Sequence, residues 1–279
     1  MPILGIVASA KPAKPIVTGG TLASDSTYYY RTFTANGTLS VTQAPLNCDI
    51  LVVSGGGAGA NAQYVLSPFN NTLVGGGGGA GGLKLFTQTL SATSHTVTVG
   101  AGGSGAVGNS SSLGSYATTG GGFFQTDGGS GQGKSGWNNG TAGPGAGVSG
   151  EGNAGANYFN GVYNGGTSGG GGGAGASPQS TALMYGGDGS TSYQSWATAT
   201  STGHNVSGTY YYAGGGNGSS YGVTPRGGGG IGGNDANGGN ALANTGGGGG
   251  GTTVTSGSAT GGNGGSGIVI VRYTKAQVD

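Results

Sequence analysis

The sequence predicts an all-β fold with a second, glycine-based component. A small β framework, closed by the C-terminal strand, holds an inserted bundle of polyproline II (polyglycine II) helices. Three observations predict this. Glycine supplies 75 of the 279 residues, roughly a quarter of the chain against about 7% in ordinary proteins. Short β-branched and aromatic runs stand at both ends of the glycine-rich region. No segment sustains a period of 3.6 residues, and glycine would penalise any helix by about 1 kcal/mol per residue.

The elements follow in order. Residues 1–20 read as an N-terminal extended anchor segment. Their start, MPILGIVASAKPAKP, carries an apolar stretch but no charged n-region, so it lacks the build of a signal peptide. Pro12 and Pro15 hold it out of helix. Residues 21–279 form the glycine-rich domain, with framework strands expected at 28–54, 83–99 and 268–273. The runs 28–34 (YYYRTFT) and 38–42 (TLSVT) flank Asn36-Gly37, a dipeptide that accepts positive φ at both turn positions and so predicts a hairpin. Residues 49–54 (DILVVS) and 268–273 (IVIVRY) are continuous apolar runs, the pattern of strands buried on both faces. Residues 83–88 alternate with Leu83 and Leu85 on one face, and 95–99 alternate with Val97 and Val99 inward.

The bundle and its loops occupy residues 55–82 and 100–267. A polyglycine tract buries no side chain, and ordering it costs much backbone entropy. Its N–H and C=O groups must still be paired wherever they are buried. Polyproline II has three residues per turn and no internal hydrogen bonds, so such helices can pair only with each other. Interior helices then need glycine on every side. Tracts 75–82 and 246–251 have that composition, which makes Gly75, Gly76, Gly77, Gly78 and Gly79, with Gly246, Gly247, Gly248, Gly249 and Gly250, the expected scaffold. The stretch 127–155 has glycine at three-residue spacings with frame slips, which suits outer helices.

Two look-alike motifs lack their context. GGSGQGKS at 128–135 matches the phosphate-binding loop pattern, but the residues that follow, GWNNGTAGPG, cannot form the required helix. ILVV followed by Gly55, Gly57 and Ala60 mimics a dinucleotide fingerprint, again with no helix to follow. The two histidines, His95 and His204, lie far apart, and Cys48 stands alone. No paired carboxylates suggest acid–base work, so no enzyme, metal or cofactor is expected. Eight basic and seven acidic residues, scattered singly, give a net charge of +1. With no basic patch, no nucleic-acid partner is expected. No apolar run approaches the roughly 20 residues of a bilayer span, so no membrane insertion is expected either.

Islands between the tracts are rich in Tyr, Ser, Asn and Gly, the chemistry of an adaptable contact surface. The candidate binding residues are Tyr64, Phe69, Trp137, Tyr158, Phe159, Tyr163, Tyr185 and Tyr221. Packing of these rings on the bundle or the framework is the competing reading. Trp196 and Tyr210–Tyr212, in strand-like runs, fit that packing role better.

The succession TYYYRTFTANGTLSVT, DILVVSGGGAG, GGGGGAGGLKLF, HTVTVGAGG and GGNGGSGIVIVRY resembles the glycine-rich domain of bacteriophage tail proteins. The MPILGIVAS start resembles virion proteins of marine phages such as cyanophages. The architecture is similar to tip adhesins of T-even-like long tail fibres. The resemblance spans residues 18–273, although residues 1–27 do not match the adhesins' attachment domain. It implies a virion location, on the tail or the capsid surface, and host-receptor binding by the loops. The implied partners are a host cell-surface glycan or outer-membrane protein, other virion proteins, and copies of the chain in a homo-oligomer, a trimer. A non-receptor structural role in the virion, as capsid decoration or fibre component, is the alternative. An ice-binding protein would instead show a regular face of threonine or other small residues.

Overall fold

The computed structural model describes residues 12–65, 71–136, 143–157, 159–160, 167–178, 184–219 and 223–279. The framework is two five-stranded antiparallel sheets. The central sheet runs Thr21–Ser24, Tyr28–Phe33, Ile268–Thr274, Leu46–Val53, Leu83–Leu90. The outer sheet runs Ile16–Thr18, Gly37–Thr42, Ser94–Thr98, Ser111–Leu113, Tyr116–Thr118.

Alternation explains why the central strands are apolar throughout. Ile50, Val52, Val269 and Val271 face the outer sheet and pack with its Leu39, Val41, Val97 and Leu113. Their neighbours Leu51, Val53, Ile268 and Ile270 face the other way. There they pack with Tyr30, Trp196, Tyr212 and two alanines of the glycine tracts, Ala80 and Ala213. Burying each of these side chains contributes about 1.5–3 kcal/mol. The framework is therefore the main hydrophobic body of the protein, and its second face is where the bundle docks.

Three expectations need correction. The Asn36-Gly37 hairpin does not form. Both ladder edges of the 28–33 strand are taken, by 21–24 and 268–274. The chain therefore crosses to the outer sheet, where Gly37 pairs with Val97. Asn36 anchors this crossing by accepting the Val99 N–H at 2.8 Å. A hairpin would have placed Leu39 and Val41 within the central sheet rather than over it. Leu85 shares the face of Leu83, as the alternation requires, and is 36% exposed because Leu83–Leu90 is an edge strand. Trp196 lies in a helix, Gln194–Thr200, not a strand. The segment sustains only seven residues of helix, with Thr198 and Thr200 bonding back to the Gln194 and Trp196 carbonyls. Burial of Trp196 and Ala197 selects it, a tertiary effect that overrides weak local propensity. The 111–118 hairpin also belongs to the framework, inside a stretch assigned by sequence to the bundle.

The glycine tracts pair with a period of three. The N–H groups of Gly55 and Ala58 donate to Asn109 and Ala106, those of Gly56 and Gly59 to Gly265 and Gly262, and those of Gly57 and Ala60 to Gly79 and Gly76. Successive residues thus address three different neighbours in rotation, as a three-residue turn requires. Tract 75–82 is fully enclosed. It donates to tracts 246–252, 119–122 and 169–172, and it accepts from 54–60, 130–133 and 214–218. Six neighbours make a hexagonal packing, in which nearly every backbone group of the central helix is paired with another chain segment.

Gly78 shows what this requires. A Cβ there would lie 2.2 Å from the Gly57 carbonyl oxygen and 2.6 Å from that of Ala58. Only a residue without a side chain permits backbones this close. Tract 246–251 is enclosed in the same way, and a Cβ on Gly248 would lie 2.0 Å from the Gly78 oxygen. Alanine is accepted where a tract meets the framework, as Ala80 and Ala213 show.

Candidate functional site

The direction of each tract fixes which end of the bundle its loops leave from. Tract 54–60 leaves the central sheet at Val53, and tract 75–82 returns to it at Leu83. Residues 61–65 and 71–74 therefore lie at the end remote from the framework. Gly75 and Thr252 exchange hydrogen bonds at 2.8 and 3.0 Å, and Val74 and Gly136 exchange them at 3.1 and 3.0 Å. The Ser168 hydroxyl donates to the Gly75 carbonyl at 2.7 Å and lies 3.1 Å from the Ser219 hydroxyl. Val74, Gly75, Gly136, Ser168, Ser219 and Thr252 thus form one layer across the bundle. In the sequence, four aromatic islands border these layer residues: 61–74, the segment starting at 137, the segment before 168, and the segment after 219.

The candidate residues divide as follows. Tyr64 is half-buried and packs on Ala62, Val254 and Ala259. Tyr185 is half-buried and lines a cleft of about 210 Å³ with Asp188, Asn217, Val223, Pro225 and Arg226. Phe69, Trp137, Tyr158, Tyr163 and Tyr221 lie outside the described residues, as does the side chain of Phe159. Gly75–Gly79 and Gly246–Gly250 are all buried in the bundle. Ser168, Ser219 and Thr252 were not anticipated as ties of the layer. The available signal is single hydroxyl residues at tract ends, where backbone groups run out of backbone partners.

Beside tract 227–233 sits a titratable element. His204 Nδ1 accepts the N–H groups of Gly227 and Gly228 at 3.2 and 3.0 Å. Burial lowers its pKa below the usual 6.5, opposed in part by a hydrogen bond with the Pro225 backbone. The neutral ring is therefore the folded form. The stability it confers is complete above about pH 6.5 and is lost as pH falls through the lowered value. Acidification from about pH 7.5 to about pH 5 should lower the urea midpoint, and His204→Gln should flatten that part of the pH profile. An unchanged slope in the variant would show that another group is responsible.

The remaining polar chemistry is engaged structurally. Arg272 pairs with Asp49 at 2.6 Å and lies between the Tyr28 and Trp196 rings, at 4.4 and 4.5 Å. Asp188 pairs with Arg226 at 3.5 Å. Asp25 accepts from the Tyr30 hydroxyl, Glu151 from the Thr119 N–H, Asp127 from the Ala146 N–H, and Asp235 from Thr255. Asp279 accepts from the Tyr29 hydroxyl at 3.2 Å. The phosphate-loop look-alike is part of the bundle, with the Ser130 and Gly133 N–H groups spent on Ala80 and Gly77. The dinucleotide look-alike at 55–60 has its N–H groups spent likewise. Among the described residues, no three His, Cys, Asp or Glu side chains form a group able to hold a metal. None of the described helices is long and apolar enough to cross a membrane.

Cys48 is buried, and desolvation together with the neighbouring Asp49 charge pushes its thiol up to about 12. A thiol with so little thiolate is a poor nucleophile. Iodoacetamide should therefore label Cys48 only after denaturation, and rapid labelling of the folded chain would contradict the packing described.

Residues 32–274 match the family model described as a glycine-rich domain. No curated protein matches the chain.

Proposed function

The chain belongs to the glycine-rich domain family, and from the resemblance of its sequence to phage tail proteins we propose that it is a phage virion protein that attaches the particle to its host. In this reading it is the receptor-binding adhesin of a tail fibre or tail tip. The observation that carries the proposal is the common layer of Val74, Gly136, Ser168 and Ser219, which gathers at one end of the bundle the points where four aromatic islands of the sequence begin or end. A backbone-bonded scaffold fixes the points where the loops begin and end, which lowers the ordering cost of binding. Tyr and Trp offer contact area with few rotatable bonds. Display of many copies on one particle multiplies weak contacts into firm attachment. The framework at the opposite end is then the end that joins the rest of the particle, where copies of the chain and other virion proteins are its partners.

Binding of the purified chain to intact candidate host bacteria tests this, with block of phage adsorption as the readout. The expected result is saturable binding that competes with the phage and falls in a Trp137→Ala/Tyr158→Ala/Tyr163→Ala variant. If the wild-type chain, with its oligomeric state verified, binds no host and blocks no adsorption, the non-receptor structural role replaces this reading.

A further inference from the structure

On one flank of the bundle lies a polar groove of about 490 Å³, whose described lining includes none of the candidate aromatic residues. It is lined by Asn61, Ser104, Asn237, Asn240, Thr260 and Asn263, with Gly105, Gly238 and Gly261. The volume lies within the range of small-molecule sites, about 300–1,000 Å³. None of the lining side chains is charged.

Three of the amides are locked by the bundle itself. Asn237 Oδ1 accepts the Thr260 N–H at 2.9 Å, and Asn240 Oδ1 accepts the Asn263 N–H at 2.8 Å. From the other side, Asn61 Oδ1 accepts the Gly261 N–H at 2.9 Å. Each bond supplies the acceptor that an outer helix needs for an N–H with no backbone partner. It also fixes the orientation of the amide, because only the oxygen can accept. The Nδ2 groups of Asn61, Asn237 and Asn240 are then left with two N–H donors each and make no hydrogen bond among the described residues. All three side chains are exposed. Asn237 and Asn240 are one helical turn apart, a step of about 9 Å along a polyproline II axis.

We propose that this groove binds a neutral glycan chain. Fixed amide donors at a regular step match the hydroxyl and ring oxygens of alternate units in an extended oligosaccharide. The hydroxyls of Ser104 and Thr260 can both donate and accept. The absence of charge from the lining favours a neutral ligand over a phosphate, a sulfated sugar or an acidic peptide. Binding is therefore insensitive to salt, because there is no charge pair to screen. The inference rests on the attachment reading for its biological setting and adds to it a ligand class and a second contact face.

The test uses the full chain and immobilised neutral oligosaccharides: maltohexaose, cellohexaose, mannohexaose and N-acetylchitohexaose. The decisive variant is Asn61→Asp/Asn237→Asp/Asn240→Asp. It keeps an oxygen to accept each backbone N–H, removes the free donors and adds a carboxylate charge at each position, a change whose general effect the control below also carries. Asn205→Asp is the control, since Asn205 Oδ1 accepts the Gly208 N–H on a separate hairpin. Wild type and control should bind at least one of these glycans saturably, with affinity unchanged by added salt. The triple variant, with an unchanged melting temperature, should bind about tenfold or more weakly, as expected for losing several hydrogen bonds. No binding of any of the four glycans by wild type would overturn the proposal. So would equal binding by the triple variant, or ice-shaping activity without glycan binding, which would make the groove a water-ordering face. Failure here leaves host-cell adsorption by the aromatic loops intact, and loss of adsorption in the loop variant leaves glycan binding intact, so the two readings fail separately.

Discussion

Gly78→Ala is expected to destabilise the folded state severely, while Gly143→Ala preserves it. The Gly78 Cβ would meet the carbonyl oxygens of Gly57 and Ala58 at 2.2 and 2.6 Å. These are backbone atoms of a neighbouring helix that is itself bonded to four further segments, at 100–109, 119–122, 246–251 and 261–267. No rotamer change can relieve the contact. Overpacking a core ordinarily costs about 1–3 kcal/mol and occasionally more. A rigid hexagonal lattice belongs at the upper end, about 3 kcal/mol or beyond, a large share of a domain's roughly 5–15 kcal/mol. At Gly143 a Cβ would meet nothing within 4 Å, and its φ lies outside the left-handed range. Alanine there should leave stability unchanged or raise it by about 0.4–1 kcal/mol through the unfolded chain. Urea unfolding of the two variants, read by circular dichroism, checks both. Similar midpoints for both would remove the basis for a close-packed interior.

Trp196→Ala should cost about 3–5 kcal/mol, the range for deleting a large buried aromatic ring. Trp196 is 3% exposed. It meets Tyr30 and Tyr193 edge-on, with ring centroids 5.9 and 6.0 Å apart, and it forms one of the two faces that enclose the Arg272 guanidinium. Its loss leaves a cavity between the short helix and the central sheet and strips one side of a half-buried ion pair. Trp196→Phe keeps the apolar body and should recover more than half of the stability lost. A loss below about 1 kcal/mol, the range of an ordinary surface change, would show that the helix does not brace the bundle against the framework.

The central strands were legible because a strand buried on both faces must be apolar at every position, and 49–54 and 268–273 are. The interior tracts were legible for the converse reason, since only glycine is tolerated where six backbones meet. Their three-residue period follows from backbone geometry alone. Which tract pairs with which was not legible. Every glycine N–H is chemically the same, so the choice of partners is set by loop lengths and by where the framework strands end. The Asn36-Gly37 crossing was misread because local turn preference says nothing about edges already filled by residue 268 onward. The Gln194–Thr200 helix was missed because its seven residues carry no usable period and are selected by one buried tryptophan. At the candidate site, the aromatic islands stood out by composition. The serines and threonine that tie their bases into one layer did not, because their role depends on a neighbour over 50 residues away, as for Ser168 and Ser219. The asparagine groove was hidden likewise. Asn61 and Gly261 are 200 residues apart, and only the folded bundle places them on one flank.

Amide hydrogen exchange on uniformly ¹⁵N-labelled chain tests the central claim most directly, namely that a fully paired polyglycine core holds the loop-bearing layer. The six-neighbour packing predicts that Gly77, Gly78, Gly79, Gly248, Gly249 and Gly250 exchange only through global unfolding, as slowly as Val52 and Ile270 of the central sheet. Gly105 and Gly257, in turns with positive φ of 58° and 68°, should exchange rapidly. Fast exchange of the tract glycines while the sheet stays protected would contradict the account, because the bundle would then be a tether for the loops and not a scaffold.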